Sequence, residues 1–165
     1  MSKQDIQASM MPVLREVGLA NCPAFYRDAY FYAAVIAGVI VLWLVYDFVP
    51  VFGAGLELQW ALLVSILLWQ PFVEELLFRG IIQGQLLKKE WAQQVVFKIT
   101  VANIVVSALF VAMHLIGNSA MWSLTVFVPS LLFGYFRDRY DSVYPSMILH
   151  SAYNSMAVIG LLIHG

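Results

Sequence analysis

The sequence predicts an all-α, multi-pass transmembrane bundle of about five spans, preceded by a short N-terminal interfacial helix. Three observations predict it. Of the 165 residues, 62% are hydrophobic and only 12% charged, where a soluble domain carries about 25% charge. The apolar residues fall into long runs of span length, separated by short polar connections. Apart from Arg79, the Lys and Arg residues sit only in alternate connections. The net charge of −1, without a basic patch interleaved with aromatics, sets nucleic acid aside as a partner. The single cysteine, Cys22, excludes an internal disulfide framework and a multi-cysteine metal site, and reads as an inert thiol.

Two parts are expected: an N-terminal cytoplasmic or interfacial segment, 1–28, and a transmembrane domain, 29–165. In the first, Ile6, Met10, Val13, Leu14 and Val17 recur at helical spacing between Lys3, Asp5, Arg15 and Glu16. That pattern suits a helix on the membrane surface or docked on the protein's own loops. No cleaved leader is expected, because the first apolar run is longer than a signal h-region. The runs are 29–49, ended by Pro50; 58–87, long enough to tilt or to kink at Pro71; 97–116; 121–136, with Pro129 inside; and 143–163. Lys3, Arg15 and Arg27, then Lys88, Lys89 and Lys98, then Arg137 and Arg139 mark one side, while the connections 51–57 and 117–120 contain no Lys or Arg. The bias places the N-terminus in the cytoplasm and the C-terminus outside.

Several residues do not belong in lipid. Glu74, Glu75 and Arg79 put three charges into six residues of the second run, each costing at least about 2.5 kcal/mol at mid-bilayer on insertion scales. Glu75 and Arg79, four apart with the acid first, have favourable ion-pair spacing. Glu74 points about 100° away and is left to face something else in the bundle. The third run carries Phe110 and His114, and the fifth carries His150 and Asn154 on one helix face. Counted from the cytoplasmic ends at roughly 1.5 Å per residue, Glu74, His114 and Asn154 lie at similar depths, about 20–24 Å, with His150 lower at about 14 Å. Gly80 and Gly84 permit close packing near Arg79. His164 is given no role. Ser107, Ser130, Ser151 and Ser155 lack a nucleophile-elbow context.

Glu74-Glu75-x-x-x-Arg79, Phe110-x-x-x-His114 and His150-x-x-x-Asn154, in that order and in three different runs, resemble the motifs of the CPBP family, the CAAX-protease and bacteriocin-processing group of glutamic intramembrane proteases. The motif core is 71–154. The resemblance implies an intramembrane endopeptidase without a cofactor. It would cleave a membrane-associated or C-terminally anchored protein or peptide: a prenylated tail, a peptide precursor or, the favoured reading, a C-terminal sorting tail. It implies Glu74 as the base that activates water, His114 as the residue that helps hold that water, and His150 and Asn154 as oxyanion donors. Glu75, Arg79 and Phe110 would support them. The expected location is the bacterial inner membrane, with the lipid bilayer itself as a partner.

Two rival readings use the same residues. Glu74, His114 and His150 have the chemistry to hold zinc with water in the open position, although no His-Glu-x-x-His locks two ligands on one helix. A non-enzymatic scaffold or a proton or solute carrier would also bury Glu and His, but no paired inverted repeat is evident.

Overall fold

The computed structural model describes residues 3–45 and 59–164. Pro50, the connection 51–57 and the first residue of the second run lie outside them. The helices are α1 (Lys3–Glu16), α2 (Ala29–Val45), the long α3 (Trp60–Leu86), the one-turn α4 (Glu90–Gln93), α5 (Val101–His114), α6 (Ala120–Thr125), α7 (Phe127–Tyr140) and α8 (Tyr144–His164). Between α4 and α5, β1 (Val95–Val96) and β2 (Ile99–Thr100) pair as a small antiparallel hairpin. The fold is mostly helical. Among the described residues, two helices, α3 and α8, are long and apolar enough to cross a membrane, while the apolar stretches of α2 and α5 are shorter. Their outer faces expose large apolar side chains, among them Trp43, Trp60, Leu68 and Leu162.

The expected third and fourth spans need correction. The run 97–116 is not helical from its start. Phe97 and Lys98 form a two-residue hairpin turn with both φ values positive, 49° and 68°, the signature of a type I′ turn. The helix begins only at Val101, where the Thr100 hydroxyl accepts the Asn103 N–H at 3.1 Å as an N-cap. Its 14 residues rise only about 21 Å, short of a hydrocarbon core of about 30 Å. The run 121–136 is two helices, broken at Val126. Pro129 falls in the first turn of α7, where a missing N–H costs no intrahelical bond.

α3 runs through Pro71 by changing register. Ser65–Trp69 and Leu76–Gln83 are π-helical, and the Gln70 N–H bonds to the Ser65 carbonyl, five residues back. In that register the Ile66 carbonyl would be served by residue 71, which as proline has no N–H. The Asn154 side chain of α8 donates to it instead, at 2.8 Å.

Two apolar clusters close the bundle. One joins Phe25, Phe31 and Ala34 to Phe133, Phe136, Leu149 and Tyr153. The other joins Phe78 of α3 to Val106, Phe110 and Val111 of α5 and Val126. α2 lies directly on α8: a Cβ on Gly38 would collide with the Tyr153 ring, and the Tyr153 hydroxyl donates to the Ala34 carbonyl at 2.7 Å.

The segment after α1 threads across one end of the bundle. Gly18 takes a positive φ of 73°, and its carbonyl accepts the Val143 N–H at 3.1 Å. The glycine pair in α3 serves this segment rather than a neighbouring helix. A Cβ on Gly80 would meet the Val17 carbonyl at 2.8 Å, and one on Gly84 the Glu16 carbonyl at 3.2 Å. Glu16 pairs with Lys88. Asp28 accepts from the Tyr140 hydroxyl at 2.7 Å, Arg139 Nε at 2.8 Å and the Tyr30 N–H at 2.9 Å. The Tyr140 hydroxyl first, then the Tyr30 N–H and Arg139, hold its carboxyl below the usual aspartate range. Cys22, in this segment, is exposed and unbridged.

Candidate active site

Consecutive glutamates on one helix are turned about 100° apart, and the two here meet opposite fates. Glu75 is fully buried. Its Oε1 accepts from His150 Nδ1 at 2.9 Å, and its Oε2 lies 3.4 Å from Arg79 Nε. Arg79 is also fully buried. It donates through Nη2 to the Ser130 carbonyl at 2.9 Å and to Ser130 Oγ at 2.8 Å, and lies against the rings of Phe110 and Phe133 at 5.1 and 5.8 Å. Glu74 keeps a side chain 31% exposed and opens into a cavity of about 670 Å³, whose walls come from α2, α3, α5, α6, α7 and α8. His114, His150 and Asn154 line the same cavity.

The two histidines have fixed orientations. His114 Nδ1 is 2.9 Å from the Phe110 carbonyl. A carbonyl only accepts, so Nδ1 carries the proton and the neutral ring keeps a free lone pair on Nε2. The His114 ring packs on Phe110 at 4.5 Å. His150 is stacked on Phe133 at 4.8 Å, nearly parallel at 14°. With Nδ1 donating to Glu75, its Nε2 turns toward Glu74, 3.9 Å from Oε2. For Nε2 to donate as well, the ring must be an imidazolium, which the Glu75 carboxylate directly neutralises. Asn154 sits one turn beyond His150 and is held by its bond to Ile66. Phe110 is the hub of the packing, touching Phe78, His114, His150 and Arg79.

Among the described residues, no three or more His, Cys, Asp or Glu side chains are grouped to hold a metal ion. The backbone of His164 ends α8.

The sequence reading passed over several polar residues around this site. Gln70 and Asn118 line the cavity. Their positions, four before Glu74 and four after His114, were the available signal. Gln83, four after Arg79, is fully buried and donates to the Gly134 carbonyl at 3.1 Å and to Asp138 at 2.7 Å. Asp138 also accepts from Thr100 at 2.7 Å. Arg137, which had counted only as a basic flank, is buried and donates to the Arg79 carbonyl at 3.1 Å. These contacts join α3, α5 and α7 beneath the cavity. Nothing in the spacing of one sequence pairs such distant residues.

The family model described as type II CAAX prenyl endopeptidase Rce1-like matches residues 56–156, more than half of the chain and all three motifs. No curated protein and no solved structure was found to match. α1 and α2 lie outside the matched region. The chain thus belongs to the Rce1-like family of CAAX proteases, which makes it a membrane-embedded hydrolase of peptide bonds.

Proposed function

We propose that the chain is a glutamic intramembrane endopeptidase that cleaves a membrane-associated or C-terminally anchored substrate. Glu74 activates the attacking water. The observation that carries this reading is the contrast between the two glutamates: Glu75 is closed off by His150 and Arg79, while Glu74 faces the cavity that His114, His150 and Asn154 share. In the reaction, water rests between the Glu74 carboxylate and the free Nε2 of His114. Glu74 takes its proton as the oxygen attacks the scissile carbonyl. The oxyanion is met by Nε2–H of the His150 imidazolium and by the second Nδ2–H of Asn154. As the C–N bond breaks, Glu74 returns the proton to the departing amine. Glu75 fixes the His150 ring and balances its charge, and Arg79 holds Glu75.

A cavity with a largely apolar wall suits a substrate whose residues beside the cleaved bond are apolar, as in a prenylated or sorting tail. Five crossings (α2, α3, α5 together with the connections at its two ends, the α6–α7 pair and α8), with the N-terminus cytoplasmic, are the membrane arrangement we infer. The exposed apolar faces and the gathering of basic residues at one end support it.

The test compares the termini of membrane proteins by mass spectrometry in cells carrying the wild type or Glu74→Gln. General-base catalysis contributes about 10²–10⁴-fold, so new termini should vanish with Glu74→Gln. Their persistence at wild-type levels overturns the reading. Loss of cleavage with a chelator, restored by zinc alone, would instead favour the metallopeptidase reading.

A further inference from the structure

Three helices bring polar groups to the cavity in pairs four residues apart: Gln70 and Glu74 on α3, His114 on α5 with Asn118 just past its end, and His150 and Asn154 on α8. The offset is negative on α3 and positive on the other two, and the helices run accordingly. Gln83, late in α3, and Thr100, just before α5, both bond to Asp138, late in α7, so those ends share one side of the molecule. α8 starts at the same side, where Val143 meets Gly18. Asn154, further along α8, meets Ile66 near the opposite end of α3. Gln70 and Asn118 therefore lie on the same side of the acid and imidazoles: Gln70 is about 6 Å along α3 from Glu74 at 1.5 Å per residue, and Asn118, past the end of α5, is tied back to the His114 carbonyl.

We propose that Gln70 and Asn118 form an amide tier that binds the main chain of an extended substrate about two residues from the cleaved bond. The proposal rests on the peptidase reading and deepens it. An extended chain rises about 3.3 Å per residue, so a peptide group two residues from the scissile bond falls at the height of this tier. Each peptide unit entering an apolar cavity brings one donor and one acceptor that must be paired. A carboxamide offers both. Asn118 is held by one N–H on the His114 carbonyl at 2.9 Å, leaving its other N–H and its oxygen for a ligand. Gln70 makes no side-chain hydrogen bond among the described residues. The cavity wall is otherwise mostly apolar, with Leu62, Val41 and Trp122 in it. Neutral amides fit a neutral main chain, not a terminal carboxylate. The tier thus selects an internal stretch of unfolded polypeptide.

The experiment uses the full chain in nanodiscs and a fluorescent farnesylated peptide with a C-terminal tripeptide tail. A matched series replaces each backbone amide in turn by an ester, deleting one N–H. Binding is measured to Glu74→Gln, and cleavage to the wild type, each with and without Gln70→Met or Asn118→Ser. Gln70→Met should weaken binding of the all-amide peptide about three- to tenfold, the worth of one neutral hydrogen bond. KM should rise with kcat nearly unchanged. For one ester position the effect of Gln70→Met should disappear, because the bond is already missing. Equal weakening at every ester position, no effect of either substitution, or no binding to Glu74→Gln overturns the tier. Binding without any cleavage by the wild type would overturn the peptidase reading alone, since the binding arm does not depend on turnover.

Discussion

At the scale of single residues, the site is organised by how buried polar groups find partners. Asn154 illustrates this, because it serves two masters. Its side chain caps the Ile66 carbonyl, which Pro71 leaves without a donor, and its remaining N–H faces the cavity. The two roles are separable. Asn154→Leu should abolish cleavage and also destabilise the protein by about 1–3 kcal/mol, the cost of an unpaired buried carbonyl. Adding Pro71→Ala restores a backbone N–H in the register that served Ile66. The double variant should regain much of the lost thermal stability in detergent and none of the activity. If Pro71→Ala rescues neither, the carbonyl is not what Asn154 satisfies. Glu74 and the histidines were legible in the sequence because a charge or an imidazole in an apolar run needs a reason to be there. Gln70 and Asn118 carry no charge, and so gave no such signal.

At the scale of elements, the sequence revealed where apolar segments lie better than where helices begin. α8 matches its apolar run within a residue or so, because nothing interrupts the run before Ile163. The third run misled because Phe97 and Lys98 are apolar and basic flanks by composition, yet they occupy a turn whose usual residues are Asn and Gly. The break at Val126 is marked only by Pro129 three residues on, which reads as well as a kink within one helix as the first turn of a new one. The π-helical turn Ser65–Trp69 in α3 is tied to Pro71, whereas Leu76–Gln83 carries no such mark in the sequence. The hairpin also yields a prediction. A non-glycine residue in the left-handed region costs about 1–2 kcal/mol, and Lys98 sits there at φ 68°. Lys98→Gly should therefore tighten the hairpin, raising the unfolding temperature and slowing hydrogen exchange at Val96 and Ile99. Lys98→Val should do the opposite, since a β-branched residue tolerates positive φ poorly. Unchanged exchange in both would mean that the turn is not held in this form.

At the scale of the whole molecule, charge and packing agree on which end is which. Lys88 and Lys98 flank the connection between α3 and α5, Arg139 lies at the end of α7, and Asp28 and Glu16 tie the N-terminal segment to that same end. Arg137 adds little to the orientation, being buried against Arg79 and Asp141. Each exposed basic residue near an anionic surface is worth about 1 kcal/mol, so Arg15, Arg27, Lys88, Lys89, Lys98 and Arg139 together bias the orientation by several kcal/mol. The connections 51–57 and 117–120 contain no Lys or Arg to compete. Exposed Cys22 is a built-in probe of the basic end. In a Cys22→Ser background, Phe97→Cys reports the hairpin tip, where Phe97 is 96% exposed, and Met121→Cys reports the start of α6, where Met121 is 65% exposed. A membrane-impermeant maleimide added to intact cells should label Met121→Cys at once. It should reach Cys22 and Phe97→Cys only after the membrane is opened. Labelling of Phe97→Cys from outside reverses the orientation. Labelling of both tips from the same side removes a crossing between them and with it the five-span arrangement, because α5 alone separates the two positions.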